Sequence, residues 1–144
     1  MTKILSVCMI VKDEEKNIRR CLNSLKPVIE KDYSELIIVD TGSTDQTVTI
    51  AKEYTQNVYF HEWNGNFSDM RNISISYAKG RWIFIIDADE VLETPIELLA
   101  LLENPNLKAF NSVRIKEKNL LSLNSNKYVY HVQERLFRND GTFH

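Results

Sequence analysis

The sequence predicts an α/β domain with a Rossmann-like, mostly parallel sheet and helices on both faces. Across residues 1–103, four apolar runs of strand length alternate with four segments that have apolar residues at helical spacing. Such alternation implies parallel strands joined by right-handed crossovers. After residue 104 the helical spacing stops, and strand-like segments indicate a mixed or antiparallel β part. A length of 144 residues suits one domain, so we expect both parts to belong to it.

The first strand–helix unit is predicted at the start of the chain. Residues 4–11, ILSVCMIV, form a short, continuous apolar run that is typical of a fully buried strand. Four apolar residues then share one helical face: Ile18, Cys21, Leu22 and Leu25. Asp13 can cap this helix, and we expect Pro27 to mark its end.

The second unit begins with another buried strand, ELIIVD, at residues 35–40. Ser43 and Gln46 have the spacing of a capping box, which predicts a helix that runs to about Tyr54. Residues 57–63, NVYFHEW, predict the third strand.

The third helix and a fourth strand–helix unit complete the pattern. Apolar residues at helical spacing predict the third helix: Phe67, Met70, Ile73 and Tyr77. We expect Gly80 to cap its end, before a fourth strand at residues 81–87. Thr94, Pro95 and Glu97 have the types of a cap, a first and a third helical residue. The apolar residues of this last helix are Ile96, Leu98, Leu99 and Leu102.

The second part of the chain shows strand patterns without helices between them. Residues 109–118 and 127–140 fit strands, and the polar stretch 119–126 joins them. The tripeptide NDG at 139–141 is a hairpin-turn signal, and only three residues follow it. We therefore expect the sequence to stop inside a hairpin, as a fragment of a longer domain would.

Composition excludes several functional classes. The net charge of −2 gives no basic field for nucleic acid. Cys8 and Cys21 fall at apolar positions and suit small buried side chains, so we expect no disulfide framework and a cytoplasmic, reducing setting. The first apolar run is too short to span a membrane and no signal-peptide cleavage site follows it. Peripheral membrane contact stays open.

Three of the predicted strands deliver carboxylates to one edge of the sheet. Asp13 follows the first strand, Asp40 ends the second and Asp87 ends the fourth. In open sheets of this kind, ligands bind beyond the carboxyl ends of the strands. We therefore expect a ligand site at that edge.

Asp87-Ala88-Asp89 is the first candidate for the chemistry of that site. In an extended segment the two carboxylates would lie about 6.6 Å apart and repel by roughly 3 kcal/mol at an effective dielectric near 20. A hard divalent cation, Mn²⁺ or Mg²⁺, removes that repulsion and prefers oxygen ligands. The alternative is a charged loop, including Glu90, that only ends a strand.

Asp40 and Arg71 are the candidates for binding the rest of a ligand. An acid that ends a strand before the turn TGSTDQT suits a nucleoside hydroxyl or a base N–H. An ordinary strand-to-helix turn requires the same residue types, so both interpretations stay open. The planar fork of Arg71 suits a diphosphate or a base edge, and the alternative is a solvated helix arginine.

Other patterns are absent or open. There is neither a G-x-G-x-x-G nor a G-x-x-x-x-G-K-[ST] phosphate loop, and the scattered histidines argue against a zinc site. Tyr128 and Tyr130 fit either packing or a platform for an acceptor sugar. Glu134 and Arg135 fit an edge strand with alternating charge or a functional pair.

Four motifs together resemble family 2 glycosyltransferases of the GT-A fold. They are LSVCMIVKDEEKNIRRCLNSL, ELIIVDTGSTDQT, MRNISISYAKGRWIFIIDADE and RLFRNDG, in the order and spacing of that family and over nearly the whole chain. The bacterial subgroup with DTGSTD and DADE, related to peptide- and cell-surface-modifying sugar transferases, is the most similar. The resemblance implies one catalytic domain, with a nucleotide-sugar-binding part at 1–103 and the start of an acceptor-side part at 104–144.

The resemblance also implies what individual residues do. The implied nucleotide-sugar-binding positions are Val11, Asp13, Glu14, Asp40, Arg71, Asp87 and Ala88. Asp40 would bind the uracil or ribose, and Arg71 would reach the nucleotide. Asp89 would be the direct ligand of Mn²⁺ or Mg²⁺, and Asp87 would contact the ribose or the metal-bound waters. Many members have asparagine at the position of Asp13.

The activity implied is metal-dependent, inverting transfer of a sugar from a nucleotide-diphospho-sugar, a UDP-sugar, to a sugar, lipid-linked or peptide acceptor. The catalytic base would be a carboxylate, for which the options are Glu134 and a residue beyond His144. We expect the chain to bind the donor but to turn it over poorly. One alternative is a nucleotide-sugar-binding module or degenerate relative without turnover. The other is a nucleotidyltransferase or phosphatase that uses a D-x-D metal site. The absence of a glycine-rich loop after the first strand argues against the nucleotidyltransferase, and the absence of a D-x-D-G-[TV] motif argues against the phosphatase.

Overall fold

The described chain alternates strands and helices as far as residue 102 and continues mainly as strands. The computed structural model describes residues 3–109, 112–116, 121–123 and 132–139, with side chains over 3–107 and 135–139. The strands are β1 (Leu5–Val11), β2 (Ser34–Asp40), β3 (Val58–Phe60), β4 (Trp82–Ile85), β5 (Glu90–Leu92), β6 (Ser112–Lys116), β7 (Leu121–Leu123) and β8 (Val132–Arg138). The helices are α1 (Ile18–Ile29), α2 (Thr47–Ala51), α3 (Phe67–Ser76) and α4 (Pro95–Leu102), followed by a short 3₁₀ helix (Pro105–Ala109).

The central sheet confirms the predicted mostly parallel α/β architecture. Its described strands have the order β3-β2-β1-β4-β8-β6, in which β1 is parallel to β2 and β4, and β2 is parallel to β3. Strand β8 is antiparallel to both β4 and β6, which gives the mixed part that the sequence predicts. Val11 lies opposite Asp40 at the last position of the β1–β2 pair, so both strands end at the same edge. We call this the carboxyl edge.

The two faces of the sheet carry different core clusters. Alternate residues of β1 point to opposite faces, as the pleat requires. The larger cluster packs one face against α1, α2 and α4; its members on β1 are Leu5, Val7, Met9 and Val11. On the other face Cys8, Ile37, Ile83 and Ile85 pack against Ile75, Tyr77 and Ala78, at and just after the end of α3. Helices therefore cover both faces, as predicted.

Several predicted helix ends are wrong because local signals competed with tertiary contacts. Pro27 lies inside the last turn of α1, which continues to Ile29. Asp13 does not cap α1; the N-cap is Asn17, without a side-chain hydrogen bond. The predicted capping box of Ser43 and Gln46 does not form, and α2 spans only Thr47–Ala51. Thr94 and Pro95 do start α4, although Thr94 makes no cap hydrogen bond.

Gly80 does not end α3 as a cap, because the C-cap is Tyr77. Instead, the Gly80 N–H donates to the buried Ser6 Oγ at 2.8 Å. A Cβ on Gly80 would lie 2.7 Å from the carbonyl carbon of Leu5 and from the backbone nitrogen of Ser6. Glycine is therefore required by the close approach of this segment to β1.

The β part differs from its prediction in three ways. The turn after β4 leads into a short strand, β5, that the sequence did not predict. Strand β5 pairs with β7, which lies in the stretch predicted as a polar link. Strand β8 is interior to the sheet, between β4 and β6, so the prediction of an edge strand at Glu134 and Arg135 is wrong. Tyr128, Tyr130 and most of the NDG turn lie outside the described residues.

Candidate functional site

Two loops beyond the ends of β1 and β2 are fastened to each other by hydrogen bonds. The Asp13 N–H donates to Ser43 Oγ at 2.8 Å, and Asp13 Oδ1 accepts from the Thr44 N–H at 2.8 Å. The Glu14 N–H donates to Thr47 Oγ1 at 2.8 Å. Asp13 has a φ of +52°, a left-handed conformation that is costly for most non-glycine residues and that Asp tolerates better. The carboxylate of Asp13 therefore holds the neighbouring loop in place.

Asp40 is buried at the end of β2 and its carboxylate is held by the turn that follows. Oδ2 accepts from the Gly42 N–H at 3.2 Å, and both oxygens accept from the Ser43 N–H at 3.2–3.3 Å. Gly42 has a φ of +125°, which favours glycine. A carboxylate has about four lone-pair sites, so Asp40 can still accept a hydrogen bond from a ligand while its position is fixed.

Residues 87–90, which we call the D-A-D-E turn, form a closed turn rather than the extended segment assumed from the sequence. The Glu90 N–H donates to the Asp87 carbonyl at 3.0 Å. In return the Asp87 N–H donates to Glu90 Oε1 at 2.7 Å. The side chain of Asp87 is half-exposed and Asp89 is exposed, whereas Ala88 and Glu90 are buried. The turn therefore presents its two aspartates and buries the other two residues.

Glu90 is neither solvent-exposed nor available to a ligand, because it pairs with Arg135 of β8. Arg135 Nη1 and Nη2 donate to Glu90 Oε1 and Oε2, each at 2.8 Å. The side chains are 8% and 1% exposed, respectively. Burial raises the pKa of the Glu90 carboxyl, while Arg135 acts in the opposite direction. The pair is thus a buried, bidentate ion pair that the sequence did not predict.

Arg71 reaches the D-A-D-E turn from α3. Its Nη2 lies 3.9 Å from Asp87 Oδ1, and its guanidinium lies over the Phe67 ring at 4.9 Å from the ring centre. Burial lowers the pKa of Arg71, and the charge of Asp87 opposes that shift. Among the described residues, Arg71 Nε has no hydrogen-bond partner. Nε is buried, so the part of the guanidinium that a ligand could contact is its terminal nitrogens, on a side chain that is 35% exposed.

The electrostatics of the edge are dominated by carboxylates. The pKa of Glu14 is raised, first by burial and then by the charge of Asp89, with a smaller contribution from Asp87. The pKa of the buried Cys21 thiol is raised by burial and by the charges of Glu90, Asp87 and Asp89. Several groups therefore sense the same concentration of negative charge around the turn.

The chemistry of the aspartates suits a hard divalent cation. Over the described residues, no three His, Cys, Asp or Glu side chains converge to form a complete metal site. Mg²⁺ usually keeps several waters and is bound through one or two carboxylates together with substrate phosphates. Two aspartates presented by one turn, with Arg71 beside Asp87, fit that mode of binding rather than an all-protein cage.

An aromatic cleft opens at the ends of β1 and β2. It has a volume of about 270 Å³ and is lined by Ile10, Val11, Lys12, Thr41, Trp63 and Phe67. Trp63 and Phe67 are large and exposed, with ring centres 6.5 Å apart. Pockets for whole drug-sized ligands have roughly 300–1,000 Å³, so this cleft suits one flat moiety of a larger ligand.

Comparison with known proteins identifies the family. The sequence pattern of the family described as "Glycosyl transferase family 2" matches residues 6–140. The chain belongs to glycosyl transferase family 2.

Similar sequences include longer proteins from bacteria. This family 2 domain is 39% identical over 137 residues to a TPR repeat-containing protein of Synechococcus elongatus, which covers 94% of the chain and 32% of that protein. It is 39% identical over 92 residues to the SPbeta prophage-derived glycosyltransferase SunS of Bacillus subtilis, which covers 62% of the chain and 21% of SunS. The chain thus spans about a third or less of the length of these relatives.

Solved structures with the same fold include transferases with bound nucleotide. Residues 1–349 of Staphylococcus aureus TarS in complex with UDP match with a TM-score of 0.54 and 28% identity, over 69% of the chain and 32% of that TarS fragment. Glucosyl-3-phosphoglycerate synthase of Mycobacterium tuberculosis, in complex with Mg²⁺ and UDP, matches with a TM-score of 0.58 and 23% identity, over 69% of the chain and 38% of the synthase. These similarities confirm the GT-A fold of the family 2 domain.

The structure of the family 2 domain places the predicted site residues around one edge but in different environments. Asp87, Asp89 and Arg71 come together at the D-A-D-E turn, and Asp13 and Asp40 brace the loops beside it. Val11 lines the cleft, and Glu14 senses the charge of the turn. The side chain of Ala88 packs in the core, so its backbone alone is left for a nucleotide contact. The side chain of Glu134 lies outside the described residues.

Sequence reasoning missed two features of the site. Glu90 and Arg135 are 45 positions apart, and no local pattern joins them. Phe67 was counted only among the apolar residues at helical spacing, yet it starts α3 and is 49% exposed. The signal for the cleft was the segment WNGNF, in which two large aromatic residues flank three residues typical of loops.

Within the described part of the chain, no helix combines the length and apolarity needed to cross a membrane.

Proposed function

We propose that this chain is the donor-binding part of an inverting glycosyltransferase that uses a nucleotide-diphospho-sugar, a UDP-sugar, and a divalent cation. The observation that carries the proposal is the D-A-D-E turn, which presents Asp87 and Asp89 at the carboxyl edge of a GT-A sheet with Arg71 beside them. The family membership and the UDP complex of TarS support a uridine nucleotide. The acceptor would be a sugar, a lipid-linked or a peptide group.

The aspartates would hold Mn²⁺ or Mg²⁺ on the donor diphosphate. Asp89 would be the direct ligand, and Asp87 would contact metal-bound water or the ribose. When bound, the cation neutralises the charge that develops on the leaving diphosphate. Complexes of the mycobacterial synthase with Mg²⁺ or Mn²⁺ and UDP support a divalent cation for this fold.

The remaining side chains would bind and orient the nucleotide. Arg71 can donate to the diphosphate from beside Asp87 through the terminal nitrogens of its side chain, which is 35% exposed. The aromatic cleft would receive the base between Trp63, Phe67 and the end of β1, because bases stack on aromatic rings. Asp40 would accept from the uracil or ribose while the turn holds it in place.

The transfer step also needs a base that takes the proton of the acceptor hydroxyl as its oxygen attacks the anomeric carbon. Glu134 of β8 and residues beyond His144 stay the candidates for this base. A binding module without turnover is the second possibility, and it shares the whole donor site.

The decisive experiment measures the melting temperature with UDP and Mn²⁺. A ligand that binds only the folded chain raises its stability, by roughly 2.7 kcal/mol at 100 times the dissociation constant. We expect the rise in the wild type to be largely lost in Asp89→Asn and kept in Asp32→Asn, an exposed carboxylate before β2 and away from the carboxyl edge. A wild type whose melting does not respond to UDP and Mn²⁺ would contradict the proposed function.

The placement of the nucleoside has its own test. Asp40→Ala should weaken UDP binding even without a metal ion. Because Asp40 also orders its turn through the Gly42 and Ser43 amides, Asp40→Asn is the matched control that keeps one oxygen acceptor. Unchanged UDP affinity in Asp40→Ala would show that the nucleoside lies elsewhere.

A further inference from the structure

The buried ion pair joins strand β8 to the turn that carries the two presented aspartates. We propose that Glu90 and Arg135 fix the D-A-D-E turn in the shape that binds the cation and the diphosphate, which makes Arg135 a positioning residue for the donor site. The inference rests on the proposed function, since it assigns a task to a pair that need not touch the ligand.

The guanidinium of Arg135 contacts two parts of the chain, the end of β4 and the end of the D-A-D-E turn. Its Nη1 and Nη2 donate to the two oxygens of Glu90, each at 2.8 Å. Nη1 also donates to the Ile85 carbonyl at 3.3 Å, at the last residue of β4. One rigid group thus ties the end of β4 to the end of the turn. Arginine can do this because its donors lie in a planar fork, which the single ammonium of lysine cannot reproduce.

Glu90 transmits this constraint directly to Asp87. The same Oε1 that accepts from Arg135 also accepts from the Asp87 N–H, at 2.7 Å. The Glu90 N–H closes the turn on the Asp87 carbonyl. Glu90 therefore binds both the N–H and the carbonyl of Asp87. These two hydrogen bonds join the ends of the turn from which the side chains of Asp87 and Asp89 project.

A contribution to stability alone does not explain why the pair makes these contacts. Replacing a buried ion pair by apolar residues of similar volume is often neutral or stabilising, because burial of the two charges offsets their attraction. The pair is almost fully buried. Its hydrogen bonds include two within the pair, one to the Ile85 carbonyl and one from the Asp87 N–H. Geometry rather than net stability is thus its main contribution.

The chain contains a matched control for this argument. Arg19 and Glu53 also form a bidentate pair, with nitrogen–oxygen distances of 3.2 and 2.8 Å. Both side chains are 51% exposed and join α1 to the segment after α2. Arg19→Lys therefore makes the same chemical change as Arg135→Lys at a place where no ligand-presenting turn depends on it.

The test measures the affinity of the 144-residue chain for UDP by calorimetry, with and without Mn²⁺. Loss of groups that orient metal ligands typically lowers metal affinity by roughly 10- to 100-fold. In Arg135→Lys we expect the gain in UDP affinity caused by Mn²⁺ to fall by about tenfold or more, while metal-free UDP affinity stays within about twofold. Electron paramagnetic resonance of Mn²⁺ in the presence of UDP should show the matching loss of bound ion. Arg19→Lys should leave all three quantities unchanged.

The outcomes separate this inference from the proposed function. If the wild type shows no gain from Mn²⁺, both fail. If the wild type shows the gain and Arg135→Lys keeps it in full, the inference alone is overturned. Glu90→Gln keeps an acceptor for the Asp87 N–H and repeats the test should Arg135→Lys not fold. Failure of both variants to fold at 10 °C with UDP and Mn²⁺ would also overturn the inference, because the pair would then serve the whole fold.

Discussion

Removal of the Arg135 guanidinium should destabilise the chain far more than removal of its exposed counterpart, Arg19. Arg135→Met leaves Glu90, which is 1% exposed, without the fork that satisfies both of its oxygens. Breaking a buried pair in this way typically costs about 3–5 kcal/mol, because an uncompensated charge stays in the interior. Arg19→Met breaks a pair of similar distances in water, so we expect no resolvable change there.

A double substitution isolates the origin of that cost. Glu90→Gln with Arg135→Met removes the buried negative charge and keeps an acceptor for the Asp87 N–H. We therefore expect the double variant to be more stable than Arg135→Met alone, by at least about 1 kcal/mol. The loss that remains would come from the Ile85 carbonyl and from imperfect packing.

Urea unfolding, followed by circular dichroism, measures these free energies. The slope with urea should match that of the wild type if only the native pair is changed. A loss below about 1 kcal/mol in Arg135→Met, or a double variant no better than the single one, would refute the reasoning that the pair is buried and charged in solution.

Three further predictions test other parts of the structure. Gly80→Ala should lower the free energy of unfolding by about 1–3 kcal/mol or more, because its Cβ would lie 2.7 Å from the backbone of β1; an unaffected urea midpoint would contradict that approach. Trp63→Ala should weaken UDP binding by roughly 5- to 150-fold in calorimetry, because stacking of a base on an aromatic ring contributes about 1–3 kcal/mol. Trp63 is exposed, so we expect no matching loss of stability. Unchanged affinity would place the base outside the cleft. Burial raises the pKa of the Cys8 thiol from its ordinary 9.0 to about 12. The unfolded chain therefore releases this proton first, and stability should fall above pH 9 by about 1.4 kcal/mol per pH unit. The buried Cys21 thiol, whose pKa is also raised, adds a slope of the same sign, so Cys8→Ala should reduce the alkaline slope without abolishing it. An unaltered slope would assign it to other groups.

The central strands could be predicted because they are buried on both faces. Strands β1, β2 and β4 are continuous apolar runs, which mark interior strands of a parallel sheet whatever the rest of the chain does. Strand β5 has three residues and gains its definition from pairing with β7, about thirty positions later, so no local pattern marks it. Cap signals also failed where hydroxyl side chains had another use: Ser43 Oγ accepts from the Asp13 N–H instead of capping α2.

The sheet edge that carries the candidate site could be predicted from topology, whereas the hydrogen bonds and ion pairs within the site could not. Strand polarity alone places Asp40 and Asp87 at one edge of the sheet, and the structure puts Arg71 beside Asp87 there. The partner of Glu90 depends on how β8 enters the sheet, which is a long-range choice made by packing. The sequence therefore did not indicate whether Glu90 faces solvent or supports the site. Its ion pair with the buried guanidinium of Arg135 shows that it does not face solvent.

The way each acid is held distinguishes carboxylates that brace the fold from those that the turn presents at the carboxyl edge. Asp13 and Asp40 accept backbone N–H groups, and Glu90 has the fork of Arg135. Asp87 is half-exposed and lies 3.9 Å from Arg71 Nη2, and Asp89 is exposed without a hydrogen bond or ion pair to any residue that the structure describes. Native folds satisfy charges that serve the fold, since an uncompensated cluster of like charges costs stability. Of these five acids, Asp89 is therefore the one whose charge no described residue compensates, and under the proposed function a cation on the donor diphosphate would do so.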